Sequence, residues 1–455
     1  MLCGKTIALM LAGLLFAAAG EAATVKVRMR FDPLAQSGAD SEGRVLLFAP
    51  KPLQPGSSHS HFDSSVFPNA LMEPSISRDL PFGEVDLTTS AMRDYGWPQG
   101  NLDARIQYSD AAGTGFNDPT LGAQRKAAIE AAAGFWAAIL GSSVAVNVDV
   151  SFGDQRCEDD GATLAAAGPV FVFSDFGAGD PGVWHAGPLA EAISGENLSL
   201  EDDSNPDAAD IRVTFNNQID EACLGPDTGY YYGLDGNAPP GQASFVTVAL
   251  HEIGHGLGFT GLVNLQNGSL FRGLPDVHST LTFDTKKKLH WDEMTRRERI
   301  DSAVRAGQVS FDGDLTTQAA DSFVRGSFVV QVKRPKSLRG IYLAGGASFG
   351  PELSEKGLRA KLALVNDGSD KPTFACQPIL NTNAVAGKIA VIDRGDCFFV
   401  EKVKNAQDAG AVGVIIIHNE PGPPPGLGGS DPSIDIPSVR VTKKDGKRIK
   451  KELRK

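Results

Sequence analysis

The pattern of apolar and polar positions changes rhythm along the chain, and each rhythm predicts different elements. Near the front, strand-like runs (Thr24 to Phe31, Arg44 to Phe48) precede a Ser/His-rich loop, and Leu87 to Tyr95 has the spacing of a helix. Pro98-Gln99-Gly100 punctuates the chain as a junction. Asp118-Pro119-Thr120 then supplies a helix start, and Ile129, Ala132, Phe135, Trp136 and Ile139 recur on one face of a helix predicted to reach Leu140. Val144 to Val150, Val170 to Phe173 and Ile211 to Phe215 are predicted strands by their β-branched content. From about residue 325 the order is strand (Lys388 to Asp393), amphipathic helix (Phe399 to Ala409), glycine stop (Gly410), strand (Val412 to Ile417). That is a strand–helix–strand unit with a parallel pair. It has no glycine-rich phosphate loop, so nucleotide binding is not indicated. Pro421 to Gly429 is a rigid Pro/Gly loop, and residues 443 to 455 form a basic terminal helix with Ile449 and Leu453 facing inward.

A chain of 455 residues exceeds one compact core and implies two or three domains. The formal net charge of -12 argues against nucleic acid as a partner, because phosphate binding needs a basic surface. Residues 1–22 have the form of an export signal: Lys5, the apolar stretch Thr6 to Ala19, then Gly20-Glu21-Ala22. No later apolar run has the length of a membrane anchor, so a secreted protein, extracellular or periplasmic, is expected. Four cysteines remain once Cys3 leaves with the signal, and in an oxidising compartment they should pair. Sequence proximity favours Cys157 with Cys223 and Cys376 with Cys397.

Candidate chemistry is concentrated where the apolar segment Phe245 to Leu250 runs into His251-Glu252-Ile253-Gly254-His255. Histidines four apart on a helix project from one face and can reach one metal ion. Glu252 between them is placed to act on a metal-bound water, the arrangement of zinc peptidases, with one Zn2+ expected per chain. Gly258 offers the left-handed turn that ends such a helix. The acidic run Glu201 to Asp210 has oxygen donors of the kind Ca2+ takes, but it lacks EF-hand spacing and is read as a solvated turn.

Two resemblances follow from these motifs. Gly387 to Cys397, Lys402 to Gln407, Gly410-Ala411, Asp431 to Ile434 and Ile436 to Val439 together resemble the protease-associated (PA) domain, a non-catalytic module appended to proteases and sorting receptors. The His251 region, with Gly258-Phe259 after it, resembles metzincin-type zinc peptidases, and within them the leishmanolysin-like pattern. Most metzincins carry a third ligand at the position that is Gly261 here, which has no side chain to offer. In leishmanolysin-like enzymes that histidine comes from a distal His-aromatic-acid segment followed by a Leu-Met turn. Its match here lies at the front: Ser60-His61-Phe62-Asp63, then Leu71-Met72. The resemblance therefore implies a permuted order, with His61 as third metal ligand and Met72 beneath the site. Two alternatives stay open: a local ligand (Asp276, His278, Asp284 or His290), or an incomplete site with the front piece undocked. His59 is expected to be a neighbouring loop residue, and His185 and His418 to be structural or solvent-facing.

The expected architecture is α+β: a metzincin-like zinc peptidase domain with a mixed sheet and active-site helix, followed by a C-terminal α/β PA domain. Its divisions are a signal over 1–22, the third-ligand and Met-turn segment over 23–98, the catalytic domain over 99–324 and the PA domain over 325–455. The function these imply is a secreted zinc metalloendopeptidase acting on proteins or peptides, with Glu252 as general base and the PA domain modulating access. The alternative is an inactive secreted binding protein working through its PA domain. Nothing in the sequence signals an oligomeric state.

Overall fold

The computed structural model describes residues 24–75, 80, 86–158, 161–199, 208–223, 228–239 and 241–455. The expected export signal and most of the acidic run after Glu201 lie outside the described residues. The first strand, β1 (Lys26–Asp32), buries Val27 and Met29 and finds its ladder partners some 300 residues later. Between lies the unit that carries the histidines. Its helix α1 (Leu87–Asp94) is capped by Asp86, whose carboxylate accepts from the Thr88 N–H. Next come β2 (Ala104–Tyr108), α2 (Gly122–Ala137), β3 (Val146–Gly153), β4 (Ala165–Pro169), β5 (Ile211–Asn216) and α3 (Phe245–Gly256).

The sheet runs β2-β3-β5-β4, with β2, β3 and β5 parallel and β4 antiparallel at the edge. Parallel neighbours need a crossover, and α2 provides it between β2 and β3. The Ala128, Ile129, Ala132 and Trp136 face of α2 packs into the same core as α3. The Trp136 indole N–H donates to the Leu250 carbonyl at 3.0 Å, so the two helices are joined by a polar link as well. The expected helix start shifts to Gly122, because the Asp118 carboxylate turns the chain first, accepting from the Thr120 and Leu121 N–H groups. The strand expected at Val170 to Phe173 is displaced. The edge strand is Ala165–Pro169, and only Val172–Phe173 is extended in a second short pairing.

The last third forms β6 (Ser327–Arg334), β7 (Gly340–Gly345), β8 (Leu358–Leu364), β9 (Ile389–Asp393), α4 (Phe399–Asp408), β10 (Gly413–Ile417), β11 (Ser438–Val441) and α5 (Lys443–Leu453). These strands close into a barrel of order β1-β6-β7-β11-β10-β9-β8. Its parallel run β8-β9-β10-β11 contains the expected strand–helix–strand unit. The run is apolar on both faces: Ile389 and Val391 join the cluster of Met29 and Ile415, whereas Ala390 and Ile392 meet Val403 and Ala406 of α4. Ile449 of α5 is fully buried, as the i,i+4 reading required.

The division at the front differs from the expectation. Residues 26–32 do not travel with the histidine-bearing segment; β1 is a barrel strand, antiparallel to both β6 and β8. Asp32 and Ser327 are direct ladder partners, so residues 33–326 leave and re-enter the barrel at a single point between adjacent strands. Phe31, Phe67 and Phe328 pack around that point, with ring centroids 5.3–6.2 Å apart. Cys157–Cys223 and Cys376–Cys397 are disulfides. Among the described residues no helix is long and apolar enough to cross a membrane.

Candidate metal centre

Helix α3 starts where Ser244 Oγ accepts from the Thr247 N–H, and every residue from Phe245 to Gly256 is buried. Gly258, at φ +118°, turns the chain out of the helix where the sequence placed the stop. One turn apart on this helix, His251 Nε2 and His255 Nε2 lie 3.1 Å from each other. His61 Nε2 lies 3.1 Å from each of them. His61 arrives on a stretch with no helix or long strand, held by the Phe48 N–H donating to the His61 carbonyl (2.9 Å) and the Phe62 N–H donating to Met72 O (2.7 Å).

The other face of each ring fixes its chemistry. His61 Nδ1 faces Ser57 O at 2.8 Å, His251 Nδ1 faces Leu71 O at 2.7 Å, and His255 Nδ1 faces Phe259 O at 2.7 Å. A carbonyl only accepts, so each Nδ1 carries the proton. Burial also holds the rings neutral, pushing His251 down to about 4, His255 to about 3 and His61 well below its ordinary value. Three unprotonated Nε2 lone pairs therefore face one another with no proton between them, which is repulsive unless a cation sits among them. A tetrahedral zinc site with Zn–N bonds of about 2.0–2.1 Å separates its nitrogens by about 3.3 Å, so the donor set fits. Among the described residues this triad is the group able to hold a metal ion.

Beneath the helix lies Met72. A Cβ built on Gly254 would come 3.0 Å from Met72 Sδ and 3.2 Å from Trp136 Cζ2, so any larger residue here would press on both side chains. Leu71, one residue earlier, gives the carbonyl that orients His251; one turn thus packs under the helix and sets a ring. Burial pushes the Glu252 carboxyl up to about 8, and a divalent cation beside it would favour the carboxylate.

None of the local alternatives reaches the triad. Asp276 caps a short helix through the Ser279 N–H and accepts from Leu262 N. Asp284 pairs with Arg305, and His290 Nε2 lies 2.9 Å from Asp312. His278 bonds Tyr95 and the His59 carbonyl. The His59 ring packs against Trp291 in a tilted arrangement, with ring centroids 4.0 Å apart. His185 is buried against Val183 O, and His418 is buried beside Arg394, so both are structural rather than solvent-facing. Sequence reasoning gave Tyr95, Trp97 and Trp136 no part at the metal centre and weighed His278 only as a possible ligand. The one available signal was the two tryptophans, whose buried indole N–H groups need acceptors; Trp97 finds Leu257 O at 3.0 Å.

The PA domain family matches residues 358–449, within the barrel. The chain is 44% identical over 92 residues to ER degradation-enhancing alpha-mannosidase-like protein 3 of Homo sapiens, which is 20% of this chain and 9% of that protein. It is 33% identical over 111 residues to the PRADC1-like protein of Drosophila melanogaster, 24% of this chain and 53% of that one. Over 70 residues it is 31% identical to the minor extracellular protease Vpr of Bacillus subtilis, 15% of this chain and 8% of the protease. Among solved structures, BSAP, a zinc aminopeptidase from Bacillus subtilis, aligns with 34% identity and a TM-score of 0.21 over 25% of this chain and 26% of its own. The chain thus spans less than two thirds of these relatives. A PA domain is present, as expected.

Proposed function

We propose that the chain is an exported zinc metalloendopeptidase of the metzincin-like, leishmanolysin-like type. In this reading His61, His251 and His255 are the metal ligands, Glu252 is the general base and Met72 is the supporting turn. The observation that carries it is the triangle of three unprotonated Nε2 atoms at 3.1 Å, each ring anchored by Nδ1 to a backbone carbonyl. The close pass of Met72 beneath Gly254 supports the metzincin-like type, and the arrival of His61 from the front supports the permuted order. The two disulfides accord with export.

Zinc, when bound, supplies Lewis-acid polarisation of the scissile carbonyl and acidifies a water molecule. The protein's own contribution is orientation and proton movement. The carbonyls of Ser57, Leu71 and Phe259 keep the three rings in one tautomer. The Glu252 carboxylate takes a proton from the attacking water and then delivers it to the nitrogen of the departing amine. The PA domain contributes no ligand or base and is assigned to substrate access.

The test is metal content together with hydrolysis of a peptide blocked at both ends, which an endopeptidase cleaves and an exopeptidase does not. One zinc per chain, chelator-sensitive cleavage and recovery on zinc addition are expected. Zinc-free protein inert toward the blocked peptide would sink the reading and favour a binding role through the PA domain.

A further inference from the structure

The two helix ligands are fixed by α-helix geometry, but His61 is 190 residues away in the chain and sits in no regular element. Its segment needs links to the half that bears the helix. One begins at Tyr95, whose hydroxyl lies 2.7 Å from His278 Nδ1. On the opposite side of that ring, His278 Nε2 lies 2.8 Å from the carbonyl oxygen of His59, two residues before the ligand. The chemistry fixes the direction: a carbonyl cannot donate, so Nε2 carries the proton, Nδ1 is an acceptor, and Tyr95 donates to it. All the side chains involved are buried, away from competing water. His59 itself is held at φ +68°, a conformation unusual outside glycine, while its ring packs tilted against Trp291. Gly261, on the helix side, passes so close that a Cβ would lie 3.3 Å from the His278 ring, and its N–H points to Ser60 Oγ at 3.4 Å.

We propose that His278, oriented by Tyr95, is a positioning residue that clamps the third-ligand segment onto the half of the unit that bears the active-site helix and thereby sets metal affinity. The inference rests on the zinc reading above and goes beyond it. The absence of a side chain at position 261 then has a second consequence: it leaves room for the clamp that delivers His61 from the front of the chain.

The experiment measures Zn2+ affinity of the full chain by competition with a chromophoric chelator, and the visible ligand-field absorption of the Co2+-substituted protein. His278→Ala should raise the zinc Kd by about 10–100-fold, the usual effect of losing a residue that orients a ligand, and weaken or shift the cobalt bands. Tyr95→Phe, which deletes one oxygen, should move both readouts the same way by less. His278→Gln keeps an N–H able to meet the His59 carbonyl and should recover much of the affinity. Wild-type affinity and an unchanged cobalt spectrum in folded His278→Ala would overturn the clamp. Should that variant not fold, an unchanged Kd and spectrum in Tyr95→Phe would overturn it equally. Failure of the zinc reading is distinguishable: the wild-type chain would bind neither ion stoichiometrically, or His61→Ala would bind as tightly as wild type.

Discussion

The barrel and the unit nested within it both contain strand ladders, but the nested unit also gathers side-chain-to-carbonyl links around its histidine-bearing helix. In the barrel, seven strands satisfy one another's backbone groups by ladder pairing, and apolar residues fill both faces of the central strands. In the nested unit, side chains reach across long sequence distances to single carbonyls. Trp97 to Leu257, Trp136 to Leu250, His251 to Leu71 and His278 to His59 all do this, three of them to or from one helix and its C-cap. A ladder spreads stability over many equivalent bonds. A side-chain-to-carbonyl link puts a direction on one ring, which is what a metal centre requires. Substitutions that break one of these directed links should therefore alter chemistry more than stability, and those in the barrel the reverse.

The sharpest way to break that contrast is to remove one metal ligand. His61→Ala should lose stoichiometric zinc and peptidase activity together, since two imidazoles rarely hold a catalytic ion. His290→Ala, whose ring pairs with Asp312 instead, should keep both. Zinc content by mass spectrometry and cleavage of the blocked peptide check the pair. Retention of full zinc in His61→Ala would detach the front segment from the centre.

Glu252→Gln is next in size. The ligands persist, so one zinc per chain should remain while kcat falls about a hundredfold or more, the usual contribution of a general base. A variant retaining more than a small residue of activity would remove Glu252 from the proposed role.

Gly254→Ala should be smaller and should appear as stability. The new Cβ meets Met72 Sδ at 3.0 Å and Trp136 at 3.2 Å, and overpacking of this kind costs about 1–3 kcal/mol. Adding Met72→Ala should return part of the loss by opening space on one side. Urea denaturation of the single and double variants measures the coupling, and strict additivity would mean the two residues do not press on each other.

How much of this was legible in the sequence follows from the same contrast. His251, Glu252 and His255 are local on one helix, so periodicity alone aligned them. His61 came only through the resemblance of Ser60-His61-Phe62-Asp63 and Leu71-Met72 to a family pattern, because no periodicity connects residues so far apart. The Tyr95–His278–His59 chain left no trace, since a histidine donating to a distant carbonyl has no spacing signature. β4 was misplaced because Ala165–Pro169 holds no β-branched residue; its pairing with β5 makes it a strand. β1 was assigned to the wrong body for a related reason: Lys-Val-Arg-Met-Arg-Phe-Asp alternates as any half-buried strand does, and its partners lie beyond the nested unit.

The seat of β1 yields the last and smallest expected effect. Because Asp32 and Ser327 are ladder partners, removing residues 33–326 and joining the two strands by an Asn-Gly turn converts the entry and exit points into an ordinary hairpin. All seven barrel strands would be retained, together with the Cys376–Cys397 disulfide. Among the losses at the junction are the contacts of Phe67 with Phe31 and Phe328, each aromatic pair worth about 0.5–1.5 kcal/mol beyond the area it buries. The shortened chain should therefore fold to a monodisperse domain with a cooperative thermal transition only modestly below that of the barrel in the intact protein. Truncation after residue 345 should be far worse, because it strips β8 to β11 and leaves β1, β6 and β7 with open edges. Circular dichroism and size exclusion distinguish the two. An excised barrel that aggregates would mean that the nested unit contributes more to barrel stability than the entry point, the aromatic junction and the close approach of Ala306 and Gly307 to Gly422 and Pro423 can explain.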